Sequence, residues 1–540
     1  MSLALATAQR PSPEASTVHA HQIPLTVNQR LRRASAYAHS PEALRLVAAT
    51  HRAKGRRRLY PVEAVLAAIV FHCLKAPERL LFTDIAAELK ILTKSQRLKL
   101  GFPINCAMKY ARLYSGYRAL LREIESGTCS VHNHELEADP RTGDVCPCPP
   151  TCHYIAANLD EFAGRMILTS IPATVPIPTT VAIDSTDFES HARPRHSSID
   201  ENGDTYWSAD HDAAWGYRTS TDRRPTSRFH GYSTHAITGC PSVGGEPIPQ
   251  LALGIAVRPG SRGSAPAALS LLDAFHATRH RADEVLLDRG YTTASADNLA
   301  DPLRNRGIRL VMDLHISQRG TRPGPRAGTI WQDGHLYSSA LPQALRDLEP
   351  PKPTDTAAEK ARIHEQFDAR EPYRLVPHSR HNDTRGTQRL KGPALAGHVR
   401  CPNTPATMRL GPAVPTTNCT RGVPCGCGVT LTVPDTLRAR DRQHLPWRST
   451  TWALSFARRS LIEGLFGNIR YNTTSMNRGY LRVFGLTATT FMLTLAFAGY
   501  NMRHLHHWYI ERGLPDPWQI ELDEKPHRYE PDWIYRTRGP

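Results

Sequence analysis

Glu-Val-Leu-Leu-Asp-Arg-Gly-Tyr at residues 284–291 and Thr-Thr-Val-Ala-Ile-Asp at residues 179–184 share one pattern. In each stretch a short run of mostly apolar or β-branched residues stops at an aspartate, which is typical of a buried strand that ends in a turn. The carboxyl ends of strands form the edge at which open α/β sheets build their sites. Asp184 and Asp288 are therefore candidate site residues, although aspartate is also common after strands for turn chemistry alone.

The segments around these two strands alternate in pattern. Residues 248–257 and 308–312 are apolar runs of strand length, whereas residues 265–279 and 294–305 have helical spacing. Strands that alternate with helices of this length predict an α/β layer. The alternation stops at residue 314, and a loop-rich insertion is expected to follow.

The length and composition of the chain indicate a folded protein with more than one domain. A chain of 540 residues is too long for one core, and 40% hydrophobic with 22% charged residues excludes a wholly disordered protein. The 67 basic residues exceed the 50 acidic ones, for a net charge of +17. This excess suits a polyanionic partner such as DNA, although a GC-rich coding sequence would also enrich arginine without any function.

Targeting signals are not evident in the sequence. The first twenty residues lack the basic, apolar and small-residue pattern of a secretory signal. Residues 483–500 reach the length of a membrane span, but they include four threonines and two glycines, so a buried helix is expected. The sequence predicts a cytoplasmic protein with no membrane partner.

Two short helices are expected at residues 84–92 and 96–100, around a Thr-Lys-Ser break. They could form a helix-turn-helix that places Lys94, Arg97 and Lys99 against DNA. An ordinary helical hairpin with a solvated basic face fits the same residues, and the sequence does not separate the two.

A third carboxylate comes from the helical segment 452–470. At about 100° per residue, one narrow stripe of a continuous helix would hold Phe456, Arg459, Glu463, Gly467 and Arg470. The opposite side would be mostly apolar, with Leu454, Leu461, Ile462, Leu465, Phe466 and Ile469. A carboxylate between two guanidiniums suits a metal and phosphate site. The same stripe also fits a solvated face with an Arg459–Glu463 pair.

The three acids lie in motifs that resemble those of a known family. Phe456-x2-Arg459-x3-Glu463-x6-Arg470 resembles the Tyr-x2-Arg-x3-Glu-x6-Lys signature of the DDE transposases of bacterial insertion sequences, of the insertion-sequence-four type and its relatives. Asp288-Arg289-Gly290-Tyr291 is similar to the family's Asp-x-Gly-Tyr. The resemblance covers roughly residues 55–510.

Further segments carry the same resemblance. Residues 181–186 are similar to the family's first catalytic strand, and residues 215–218 and 229–232 resemble its linking hairpins. Three positions depart from the family pattern. Phe456 replaces the signature tyrosine, Arg470 replaces the lysine, and Ser233 stands where the family often has lysine.

The resemblance implies a ribonuclease-H-like fold, in which a mixed sheet is flanked by helices and interrupted by a loop- and β-rich insertion, with a helical N-terminal domain. It implies that Asp184, Asp288 and Glu463 hold two Mg²⁺ or Mn²⁺ ions. Asp187 is a rival for the first ligand; Asp184 is preferred because it follows the apolar run directly, and Asp187 is expected in the exit loop. The predicted DNA contacts are Phe456, Arg459, Arg470 and Tyr291.

The function implied is cut-and-paste transposition of an insertion sequence, that is, DNA cleavage and strand transfer. The partners would be terminal inverted repeats and target DNA, bound by a homodimer on paired ends near the bacterial nucleoid. Two alternatives remain open. One is a decayed or domesticated relative that only binds DNA, and the other is a ribonuclease-H-like nuclease with different substrates.

The implied organisation has six segments. They are a flexible N-terminus (1–40), a helical DNA-binding domain with a Cys/His loop (41–165), the first part of the catalytic domain (171–313), an insertion subdomain with a cysteine cluster (314–450), the second part of the catalytic domain with the Glu463 helix and the C-terminal helix (451–512), and a tail (513–540). The insertion is inferred because the interval from Asp288 to Glu463 is too long for the core fold.

Eleven cysteines without a secretory signal indicate reduced thiols or metal ligands. Two groups contain enough ligands for a tetrahedral Zn²⁺. The first is Cys401, Cys419, Cys425 and Cys427, and the second is Cys129, Cys146, Cys148 and Cys152 with His132, His134 and His153. Neither group has the paired Cys-x2-Cys spacing of a zinc ribbon, so the alternative of ordinary reduced cysteines stays open. Cys73, Cys106 and Cys240 are expected to be packing residues.

Overall fold

The computed structural model describes residues 23–50, 58–125, 155–193, 208–218, 225–261, 263–409 and 414–524. The chain falls into two compact units. The terminal unit lies within Ala15–Pro241, Glu246–Ala282 and Ser460–Pro540. The central unit is formed mainly by Asp283–Arg459. The segment boundaries expected from the sequence stay predictions.

The helices are α1 (Val27–Ala38), α2 (Pro41–Ala49), α3 (Val62–Cys73), α4 (Phe82–Ile91), α5 (Lys94–Lys99), α6 (Tyr110–Glu125), α7 (Ile155–Leu168), α8 (Ser264–Ala277), α9 (Arg289–Thr292), α10 (Ala300–Asn305), α11 (Gln343–Arg346), α12 (Ala357–Asp368), α13 (Thr450–Ala457), α14 (Ser460–Gly467), α15 (Leu486–Glu511) and α16 (Pro517–Glu521). The strands are β1 (Thr180–Glu189), β2 (Ala214–Arg218), β3 (Ser227–Cys240), β4 (Ala252–Pro259), β5 (Glu284–Leu287), β6 (Arg309–Met312), β7 (Thr321–Pro323), β8 (Thr329–Gln332), β9 (His335–Ser338), β10 (Val376–Pro377), β11 (Thr387–Lys391) and β12 (Thr430–Pro434). The protein is mixed α/β, and its largest sheet contains antiparallel and parallel strands and is flanked by helices.

In the terminal unit the strands are antiparallel and centre on β3. Strand β1 pairs with β3 from Thr180 opposite Cys240 to Glu189 opposite Gly231. Strand β2 pairs with the first part of β3, and β4 pairs with its middle, from Tyr232 onward. The pairing of β2 with β3 confirms the hairpin that the sequence motifs at 215–218 and 229–232 predict. Helices α7 and α8 pack on the fully buried β4, whereas α14 packs against β1 and β3.

The N-terminal helices α1 to α6 belong to the same unit as these strands. The long helix α15 packs on α3, α6, α7 and β4, so its apolar middle is buried on all sides by protein. This result agrees with the buried helix expected for residues 483–500. No helix in the described ranges has both the length and the apolarity needed to cross a bilayer.

In the central unit, β5 and β6 form a parallel pair joined through α9 and α10. The helix expected at 294–305 is shorter than predicted, since α10 covers only Ala300–Asn305. The insertion contains two three-stranded antiparallel sheets, in the orders β7-β8-β9 and β10-β11-β12. A small apolar core of Trp331, Leu336, Leu375 and Val433 lies within the insertion.

Strand β1 is longer than the sequence predicts. The apolar run stops at Ile183, but β1 continues through Asp184 to Glu189 because β3 supplies ladder partners along this whole length. Asp187 lies in the strand opposite Ser233 and not in an exit loop. The expectation for Asp187 was wrong because strand pairing, and not hydrophobicity, sets where β1 ends.

The segment 452–470 is not one helix. Helix α13 ends at Ala457, α14 begins at Ser460, and a π-helical turn follows at Asn468–Asn472. At the break the amides of Arg458 and Arg459 donate to carbonyls three residues back, at 3.3 and 3.0 Å. The predicted stripe at a constant 100° per residue is therefore interrupted. Leu454, expected on the buried side, is 40% exposed.

Candidate functional site

Asp184 lies in the middle of β1, at the point where the strand changes from buried to half-buried residues. Its carboxylate accepts a hydrogen bond from the amide of Ser185 at 2.8 Å. The residue pairs with Ala236 of β3. The strand therefore holds the Asp184 backbone firmly, and its side chain projects from a rigid element.

Asp187 forms the centre of a charged network on the same strand. Arg470 donates to both of its carboxylate oxygens at 3.0 and 3.2 Å, and to Thr186 Oγ1 at 2.7 Å. Arg218 of β2 donates to Asp187 and also to Glu189. Two guanidiniums thus hold three side chains of β1 in fixed positions.

These arginines set the charge state of Asp187. Burial by itself raises the pKa of this carboxyl, but the hydrogen bonds and charges of Arg218 and Arg470 outweigh burial and lower the pKa to about 2. Asp187 is therefore ionised at neutral pH. The resemblance gives Arg470 a place in the site, whereas nothing in the sequence analysis singled out Arg218 or Glu189. The one available signal was that Arg218 ends the 215–218 motif.

Glu463 is exposed on α14, whose buried side consists of Ile462, Leu465 and Phe466. Helix α14 packs against β1 and β3. The side chain of Gln250 lies against Gly464, where a Cβ would collide with it. Asp184 and Glu463 thus belong to one unit and lie on elements that pack together.

Asp288 belongs to the central unit. Strand β5 ends at Leu287 as the sequence predicts, and the Asp288 carboxylate accepts a hydrogen bond from the amide of Arg289 at 2.7 Å, which caps α9. Tyr291 in the same motif is only 2% exposed, so its predicted contact with DNA would require the ring to move. The convergence of Asp288 with Asp184 and Glu463 stays a prediction.

Phe456 and Arg459 lie at the end of α13 and just beyond it. The Phe456 ring stacks on Trp452 with centroids 4.7 Å apart, and the Arg459 guanidinium carbon lies 5.7 Å from the Phe456 centroid. Both residues are half-buried. The helix break separates them from Glu463 and Arg470, so the stripe does not form one continuous helical face.

A buried glutamate contacts the helix break and was not identified as a site residue from the sequence. Glu284 accepts hydrogen bonds from Arg458 at 2.6 Å and from His444 at 3.1 Å. Burial raises the pKa of Glu284, but the hydrogen bonds and charges of these two partners lower it to about 2. Arg458 had no role in the predicted stripe. In the fold, Arg458 is the ion-pair partner that allows the charged Glu284 to be buried at the start of β5.

The insertion brings four cysteines together. The sulfur atoms of Cys401, Cys419, Cys425 and Cys427 all lie within 4.8 Å of one another. Among the described residues, no other group of three or more His, Cys, Asp or Glu side chains meets this condition. These four cysteines could hold a metal ion. The second predicted group, from Cys129 to His153, lies outside the described residues.

The other described cysteines are dispersed. Cys73, Cys106 and Cys240 are buried, as expected for packing residues. Within the cluster, burial raises the pKa of the Cys419 thiol to about 11. For Cys425, burial also raises the pKa, but hydrogen bonds from the Cys427 backbone and from Asn403 lead to a net lowering.

The two short helices expected near residue 94 are present as α4 and α5. A capping box begins α5, in which the Thr93 side chain accepts from the Gln96 amide and Gln96 binds the Thr93 amide. Helix α5 has no buried residue, so Lys94 and Lys99 are exposed and Arg97 is half-buried. The arrangement presents a basic surface, and its contact with DNA stays a prediction.

Comparisons of the chain with protein-family models, with curated proteins and with solved structures found no match.

Proposed function

We propose that this chain is a metal-dependent DNA transposase of the DDE type, which cleaves the ends of an insertion sequence and joins them to target DNA. The observation that carries the proposal is the placement of Asp184 and Glu463. Two acids almost three hundred residues apart in sequence lie on β1 and α14, which pack against each other. This is the strand-and-helix relation that the motif resemblance requires.

The strands of each unit also support a ribonuclease-H-like fold. The terminal unit contributes the antiparallel set of β1, β3 and β4, and the central unit contributes the parallel pair β5 and β6. A ribonuclease-H-like sheet consists of three antiparallel strands and two further parallel strands. The insertion would then separate β6 from the helix that carries Glu463.

The donor set fits Mg²⁺ or Mn²⁺. Asp184, Asp288 and Glu463 provide only carboxylate oxygens, the ligands that hard divalent cations prefer. Two bound ions would supply Lewis acidity at the cleaved phosphodiester. The cysteine cluster offers soft thiol ligands instead, which do not suit these hard cations.

Cationic residues of the chain would orient the DNA. Arg470 is fixed by Asp187 and Thr186 beside β1, so its guanidinium is held on the strand that carries Asp184. Arg459 and the Phe456 ring would contact the phosphate and base next to the cleaved bond. The exposed cations of α5 would bind the inverted repeats, and two copies of the chain would hold the paired ends in the bacterial cytoplasm.

A cleavage assay tests the proposal directly. The substrate is a labelled duplex that carries the DNA flanking the gene on both sides, incubated with the full chain and Mg²⁺. We expect the wild-type chain to nick this duplex at defined positions and Asp288→Asn to leave it intact. Asp297→Asn is the matched control, because Asp297 is exposed in the same region and should leave cleavage unchanged.

Three results would count against the proposal. Cleavage retained by Asp288→Asn would remove this aspartate from the site. Cleavage of unrelated duplexes at the same rate would indicate a nuclease of another class. Binding of the flanking DNA without any cleavage by the wild-type chain would indicate a DNA-binding relative that has lost the chemistry.

A further inference from the structure

We infer that Cys401, Cys419, Cys425 and Cys427 bind one Zn²⁺ ion, and that this ion holds Cys401 and the loop 419–427 together beside strand β9, so that the fold of the insertion depends on zinc. The site lies entirely within the central unit. It is independent of the proposed DNA cleavage, since none of its ligands belongs to the three motif acids.

The sulfur spacing is the first argument. Cys401 Sγ lies 3.6 Å from Cys425 Sγ, and Cys419 Sγ lies 3.8 Å from Cys427 Sγ. Four sulfurs at about 2.3 Å from a tetrahedral Zn²⁺ would be about 3.8 Å apart. A disulfide would require a separation of about 2.05 Å. These two sulfur–sulfur distances therefore already match a zinc tetrathiolate, and all four sulfurs lie within 4.8 Å of one another.

The enclosure of the site is the second argument. Cys401 and Cys427 are 0% exposed and Cys425 is 8% exposed. Ala394 and Val399 pack around the sulfurs, together with the side chains of Ala340 and Tyr373. Cys419 is half-buried. Four protein ligands would fill every position of a tetrahedral Zn²⁺, which is the arrangement of structural and not catalytic zinc.

Polar partners around the sulfurs form the third argument. Asn403 Nδ2 lies 3.5 Å from Cys425 Sγ, and Ser338 Oγ lies 3.1 Å from Cys427 Sγ. Hydrogen bonds of this kind stabilise the negative charge of metal-bound thiolates. The Cys425 carbonyl oxygen competes with the Cys427 thiolate for the single hydroxyl hydrogen of Ser338, so the last residue of β9 contacts both ends of the Cys-Gly-Cys turn.

The backbone around the cluster is shaped for this contact. Gly426 has φ +74°, and a Cβ at this position would collide with the carbonyl oxygen of Gly328. Asn403 holds the loop before Cys425 through the carbonyls of Thr420 and Val423, at 3.0 and 2.9 Å. A glycine between two cysteines thus replaces the usual two-residue spacing of zinc knuckles.

Metal content tests the inference. The full chain is purified without chelator, and bound zinc is measured by elemental mass spectrometry with Cys425→Ser and Cys427→Ser as variants. We expect each variant to lose one zinc per chain relative to wild type. Cys240→Ala is the matched control, since Cys240 is an equally buried cysteine in the terminal unit and should leave zinc content unchanged. A Cys146→Ser variant separates any zinc held by the upstream cysteines.

A second measurement on the wild-type chain covers the case in which a variant fails to fold. The chain is treated with a thiol-alkylating reagent before and after zinc chelation, and the modified cysteines are mapped by mass spectrometry. We expect the four cysteines to be protected together, to become reactive together on chelation, and to regain protection when Zn²⁺ is added back. Unchanged reactivity on chelation, or zinc content equal to wild type in both serine variants, would overturn the inference.

Discussion

The four-cysteine cluster and the three motif carboxylates are both candidate metal sites, but they differ in how much of their geometry is local. The cysteines come from one segment of one unit, and their sulfurs are already together. The carboxylates come from two units, and Asp184 and Asp288 each accept a hydrogen bond from the next backbone amide. Neutral thiols can gather in an apolar pocket, whereas ionised carboxylates repel each other and need a cation between them.

The largest expected effect comes from the carboxylates. Glu463→Gln or Asp184→Asn should reduce cleavage of the flanking duplex by more than about 100-fold, because even the outer partners of metal ligands cost 10–100-fold when removed. DNA binding, measured by gel shift, should stay unchanged. Glu511→Gln is the control, since Glu511 is exposed near the end of α15 in the same unit. If both the Glu463→Gln and the Asp184→Asn variants cleaved like the wild type, the carboxylates would not be a metal site, and only the cysteine cluster would remain a candidate.

Asp187 sharpens the comparison, because it is a carboxylate near Asp184 that has arginine partners instead of a metal. Its side chain is 11% exposed and lies between Arg218 and Arg470. Asp187→Asn removes the anion shared by two half-buried guanidiniums, so it should lower the free energy of unfolding by about 2 kcal/mol, as expected for lost hydrogen bonds to a charged group. Urea denaturation at pH 7 measures this loss, and Asp297→Asn should change stability little.

The effect of Asp187→Asn on stability should depend on pH, because the pKa of Asp187 is lowered in the folded chain. The pKa of Asp187 in the folded chain is lowered to about 2, below the value of about 3.9 expected in the unfolded chain. Its contribution to stability is therefore fully present above the unfolded pKa and is lost as the pH falls towards 2. The stability difference between wild type and Asp187→Asn should shrink between pH 5 and pH 2. A constant difference across this range would contradict the ion-pair explanation.

Asn403 tests whether the cysteine cluster depends on its polar partners as metal sites do. Asn403→Ala removes the donor to Cys425 Sγ and should weaken zinc affinity by about 10–100-fold. Competition with a chromogenic chelator measures the affinity. Asn418→Ala, at an exposed position one residue before Cys419, is the control and should bind zinc like the wild type. Equal affinities for the two variants would show that Asn403 only shapes the loop.

The smallest expected effect concerns the basic surface of α5, which is far from either set of metal ligands in sequence. Lys94→Gln should weaken binding to the flanking duplex a few-fold and reduce the slope of log affinity against log salt by about 1, as expected for one lost phosphate contact. Lys352→Gln, at an exposed position in the insertion, is the control. No change in the salt slope would favour the ordinary helical hairpin.

Much of the local structure could be predicted from the sequence. The strands before Asp288 and around Asp184 and the buried helix α15 follow from apolar runs and turn residues, whereas the β2–β3 hairpin was predicted from the motif resemblance. These features depend on neighbours within a few residues along the chain, so their periodicity is visible without a fold. The motif acids were found in the same way, through residue order and spacing.

Only the tertiary structure decided the rest. Strand β1 continues through Asp187 because β3 pairs with it, and α13 ends at Ala457 where Arg458 turns to the buried Glu284. The four thiols meet because the insertion folds segment 401–427 onto Ser338 of β9. Each of these features depends on a residue far away in the chain. The periodicity of a short segment carries no information about such a residue. The sequence by itself therefore determined the residue types and the local secondary-structure patterns. Contacts between residues distant in the chain determined where strands end, where helices break and which ligands come together.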